Sequence, residues 1–79
     1  MSNYIQTFKK NVKRYFREYD LNDFTPDQLD NCMNYYLKNH RVTTERYCAI
    51  EFYEWLYVPF VQDILFKLGI IDHVTYREV

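Results

Sequence analysis

The side chains in this chain that are able to do chemistry are few and poorly placed for it. His40 and His73 each stand alone, and Ser2 is the only serine. Cys32 and Cys48 do not form a CxxC pair and have no histidine at metal-ligand spacing. Both cysteines fall on helix faces that the apolar pattern buries, where a thiol stays protonated and inert. They read as reduced cytosolic core thiols, with a disulfide between them as the alternative. Glu51 and Glu54 lie one turn apart, a spacing able to share a cation. No E-x-x-H motif accompanies them, so solvated charge is the simpler reading. Nucleophile, base and oxyanion donor are nowhere combined. We therefore expect no enzyme activity, no cofactor and no metal.

Groups suited to binding are more conspicuous. The net charge is -1, but residues 1–19 carry five basic groups against Glu18 alone, a local charge of +4. The other sixty residues carry five basic and ten acidic groups, a charge of -5. Lys9, Lys10, Lys13, Arg14 and Arg17 project to one side of a helix, within about 140° at 100° per residue. Such a face suits an acidic protein, nucleic-acid phosphates or an anionic surface, or is simply solvated. Negative net charge opposes long-range attraction to nucleic acid. A helix-turn-helix reading fails as well, because the recognition helix would present Glu45, Glu51 and Glu54 to phosphates.

A second candidate surface is aromatic. Nine Tyr, six Phe and one Trp make 20% of the chain aromatic, whereas Gly69 and Ala49 are its only glycine and alanine. Tyr35 projects onto the polar face of its helix. Arg46, Ile50, Tyr53 and Tyr57 form a stripe at i, i+4, i+7 and i+11, and Tyr and Arg are enriched at interface hot spots. This stripe is either covered by a neighbouring helix or presented to a partner, with a homodimer as the favoured form of any exposed stripe.

Helices must position these groups. The sequence predicts one all-α domain over residues 1–79, a small bundle of three to four helices. The first runs from Asn3 to about Tyr19, with Ile5, Phe8, Val12, Tyr15, Phe16 and Tyr19 inward. The second opens with Thr25 as N-cap, Pro26 as first helical residue and Gln28 completing a T-x-x-Q capping box. Phe24 and Leu29 form a hydrophobic staple across that start. Leu29, Cys32, Met33, Tyr36 and Leu37 line its buried face, and it ends near Asn39. The third, from Thr43 or Thr44 to about Tyr57, has a narrow polar face, which marks a central helix. Its core face is Cys48, Ala49, Phe52, Trp55 and Leu56.

Pro59 breaks or kinks the chain near Val58. A fourth segment, Pro59 to Leu68, is expected to bury Phe60, Ile64, Leu65 and Leu68. Gly69 then supplies a left-handed cap, closed by Ile70 on Leu65. Residues from Ile71 onward read as an extended tail, since a lone strand has nothing to pair with.

Residues Met1 to Phe8 lack the apolar run of a signal peptide, and no stretch is long enough to span a bilayer. The expected setting is cytoplasmic, with no membrane partner. Together these readings point to a non-catalytic protein-binding module, of the kind phages and mobile elements encode as small stoichiometric inhibitors or adaptors. The alternative is a nucleic-acid-associated protein using the basic face of the first helix.

Overall fold

A computed structural model describes residues 3–40 and 48–76 of the chain. Within them the protein is all-α: α1 spans Asn3–Glu18, α2 Pro26–Asn39, α3 Cys48–Leu56 and α4 Pro59–Lys67. The described residues contain no strand. Helix α3 packs against each of the other three, most extensively against α1. It is the central helix, as its narrow polar face requires: Glu51 and Glu54 are exposed while Ala49, Phe52 and Leu56 are buried.

The core is a set of interlocking rings. Phe52 is fully buried at its centre. It meets Phe8 edge-on at 5.8 Å, Tyr36 edge-on at 5.3 Å, Phe16 at 6.3 Å and Trp55 at 5.7 Å, so three helices meet on one side chain. Edge-on and tilted rings place the positive edge of one on the negative face of the next, which adds to the area they bury. Phe8, Val12 and Phe16 form the buried line of α1 at four-residue spacing. Ile5 and Tyr19, expected on the same line, are exposed at its two ends. The stripe is one face of α1, but only its middle is covered.

Helix α2 begins as its sequence dictates. Thr25 Oγ1 accepts from the Gln28 amide at 3.1 Å, and the Thr25 amide donates to Gln28 Oε1 at 3.0 Å, closing the capping box. Phe24 and Leu29 are both buried, as a staple requires. Thr25→Ala should therefore lower stability by about 1 kcal/mol. Urea denaturation measures this, and an unchanged midpoint would remove the cap from the account of this helix. The expected start of α3 at Thr43 or Thr44 lies outside the described residues.

Two turns fix the remaining geometry. Val58 is extended (φ -74°, ψ 126°), so Pro59 opens a new helix rather than continuing α3. At the end of α4, Gly69 takes φ +78° and the Ile70 amide donates to the Leu65 carbonyl at 2.9 Å, the bond pattern of a Schellman cap. The end of α1 is built the same way without glycine. Asp20 sits at φ 57°, and the Leu21 amide donates to the Phe16 carbonyl at 2.8 Å. Asp is among the few non-glycine residues that enter this region readily, through local side-chain hydrogen bonding.

The expected burial of Phe60 and Leu68 in α4 is overturned. Phe60 and Leu68 are exposed, at 71% and 57%, and the fully buried residues of α4 are Leu65 and Gln62. Gln62 takes a core position because its amide is completely engaged. Nε2 donates to the Leu56 carbonyl at 3.1 Å and to Thr75 Oγ1 at 2.9 Å, and Oε1 accepts from the Thr75 amide at 2.7 Å. The described part of the tail forms no strand and is anchored to the body. Ile71 is buried, Tyr76 donates to Asp63, and the His73 ring stacks on Phe24 at 5.2 Å. A side-chain amide does the pairing that a lone strand lacked.

Candidate protein-docking groove

The C-terminal half of α1, the turn after it and the start of α2 enclose a groove of about 370 Å³. Its floor is apolar: Phe16 from α1, Leu21 from the turn, Phe24 and Leu29 from the α2 staple. Lys13 and Arg17, one helical turn apart and both exposed, stand on its rim. The left-handed Asp20 sets this arrangement, since it reverses the chain and hydrogen-bonds Leu21 back onto Phe16. The His73 ring stacks on Phe24 at 5.2 Å.

The basic face divides. Lys10, Lys13, Arg14 and Arg17 are exposed. Arg14 donates to Asn11 Oδ1 at 3.0 Å along its own helix. Lys9, expected with them, is half-buried and lies 3.4 Å from Asp30 of α2. It ties α1 to α2 and is set apart from the four exposed basic residues. A partly exposed pair of this kind contributes at most about 1 kcal/mol.

The aromatic candidates separate in the same way. Tyr53 and Tyr57 are half-buried beneath α1. Tyr53 lies 5.5 Å from Tyr15 and 6.1 Å from Phe16, and Tyr57 lies 6.5 Å from Phe16. Tyr57 also donates to Asp23 Oδ2 at 2.9 Å. Burial first, then this hydrogen bond and the Asp23 charge, push its phenol well above the ordinary tyrosine value. The covering alternative therefore holds for these two, while Ile50 on the same stripe is 46% exposed. Arg46 lies outside the described residues. Tyr35, expected on a polar face, is half-buried and stacks on Trp55 at 6.3 Å. Among the described residues, Ile50, Tyr53 and Tyr57 do not form one exposed surface. Sequence reasoning missed Leu21 and the outward side of Phe24 as groove floor.

Cys32 is a free, buried thiol whose pKa burial pushes up to about 12, so it stays protonated at neutral pH. The His40 ring lies 4.3 Å from the Tyr36 ring, stacked, and its Nδ1 is 3.2 Å from the Tyr36 carbonyl oxygen. His73 Nδ1 lies 2.6 Å from Asp72 Oδ1. That hydrogen bond raises the His73 pKa and lowers that of Asp72. The pair sits in a second cleft of about 300 Å³ with Asp63 and Tyr76, whose polar groups already bond one another. Among the described residues no group of three His, Cys, Asp or Glu side chains is placed to hold a metal ion. None of their helices is long and apolar enough to cross a membrane.

No protein family, no curated protein and no solved structure matches this chain.

Proposed function

We propose that this protein is a non-catalytic protein-binding module, and that its docking site is the groove between α1 and the start of α2. The partner is an acidic segment of another protein carrying an apolar anchor. The observation that supports this reading is the junction of an apolar floor with a cationic rim: Phe16, Leu21, Phe24 and Leu29 beneath Lys13 and Arg17. An apolar anchor in the groove supplies affinity, and carboxylates meeting the rim supply orientation and a faster encounter. Lys10 and Arg14 extend the positive field along α1. Nucleic acid fits less well, because phosphates gain nothing from an apolar floor and the whole chain is slightly anionic.

The test is a double charge reversal, Lys13→Glu with Arg17→Glu. Both residues are exposed, so circular dichroism should not change. Affinity for an acidic, Leu/Phe-containing peptide selected against the wild-type protein should fall at least about tenfold, or 1.4 kcal/mol. A peptide bound equally by both proteins would remove the groove from consideration. Tight binding of a DNA duplex, lost steeply as salt rises and abolished by the same reversal, would establish the nucleic-acid reading instead.

A further inference from the structure

We propose that α4 pairs with α4 of a second copy of this chain, antiparallel and about a two-fold axis near Ile64. Phe60, Ile64 and Leu68 fall on one line of the helix at four-residue spacing. The outer two are 71% and 57% exposed and Ile64 between them is half-buried, so the described residues leave both ends of this line open. Its flank carries Asp63 and, one turn on, Lys67, both exposed. A two-fold axis across the helix sets Phe60 against Leu68 of the second copy and Ile64 against itself. The same operation brings Asp63 within a helical turn of Lys67 of the second copy, twice over. A flank with one charge of each sign, spaced one turn apart, is thus complementary to itself. A foreign partner of single sign would satisfy one charge and oppose the other. Net charge of -1 leaves little long-range repulsion between copies.

The contact is small, because nine residues of helix span only about 13 Å. It falls below the area of a permanent interface, so the dimer is reversible and concentration-dependent. It also lies apart from the groove, and its failure would leave the groove untouched.

Sedimentation velocity on the full chain, from about 10 μM to about 1 mM, tests it over the range where small interfaces dissociate. The sedimentation coefficient should rise with concentration towards that of a dimer. Phe60→Ser combined with Leu68→Ser should weaken dimerisation at least about tenfold while circular dichroism is unchanged, since both residues are exposed. The charge test is run in a Tyr76→Phe background, so that the hydrogen bond from Tyr76 to Asp63 is not at stake. There Lys67→Asp should weaken the dimer, and adding Asp63→Lys should restore it, because the pattern is reversed but still self-complementary. A monomer at every concentration would overturn the proposal, whatever else covers the helix. So would a dimer indifferent to the serine substitutions, or a double reversal weaker than the single one.

Discussion

Phe52→Ala should cost about 3–5 kcal/mol, the range for deleting a buried aromatic ring. The ring is fully buried and touches Phe8 and Phe16 of α1, Tyr36 of α2 and Trp55 of its own helix. No neighbouring side chain can move in to fill the space without abandoning a ring contact of its own. A chain of 79 residues has a total stability of roughly 4–12 kcal/mol, so this loss consumes a large part of it. The melting temperature followed by circular dichroism should fall by at least about 12 °C, at 4 °C or more per kcal/mol for a domain of this size. A drop of only two or three degrees would mean that the helices meet elsewhere.

Gln62→Leu should have the next largest effect, and a more local one. Leucine fits the volume but cannot replace the bonds to the Leu56 carbonyl and to the amide and hydroxyl of Thr75. Each buried polar group stripped of its partner costs about 1–3 kcal/mol. The tail can limit that cost by leaving, since Thr75 then finds water. The expected result is a loss of about 2–3 kcal/mol, with hydrogen exchange of the Thr75 amide becoming much faster while amides in the middle of α2 keep most of their protection. Unchanged exchange at Thr75 would show that Gln62 does not hold the tail.

How much of this was legible follows from how local each determinant is. The start of helix α2 was readable because it is written in six adjacent residues, Phe24 to Leu29, whose cap and staple need no other part of the chain. The break at Pro59 and the cap at Gly69 are local in the same sense, as each follows from one residue's backbone. The buried face of α1 was readable in direction but not in extent, since exposure of Ile5 and Tyr19 depends on how far the neighbouring helices reach. In helix α4 apolar type does not decide burial. Phe60 and Leu68 point outward, and Gln62 points inward only because Thr75, thirteen residues later, accepts and donates to it. No window along the sequence contains that reason. At the candidate site Lys13 and Arg17 came directly from charge patterning. Leu21 and the outward side of Phe24 did not, because they become a floor only once Asp20 has turned the chain back on α1.

The single tryptophan gives the protein an optical probe of its own assembly. The Trp55 ring lies 6.3 Å from Tyr35, 4.9 Å from Tyr36, 5.7 Å from His40 and 5.7 Å from Phe52, so its neighbours come from α2, the residue just after it, and α3. Its indole emission therefore reports the seam between those helices, where Phe8 of α1 also enters through its stacking on Tyr36. The chain carries nine tyrosines and this one acceptor, with Tyr35 and Tyr36 directly against it. Excitation absorbed by any tyrosine in the cluster has a short path to Trp55 as long as the seam is closed. Tyrosine emission is then suppressed in the native protein and returns when the helices part, which makes unlabelled fluorescence a direct measure of whether the bundle is assembled.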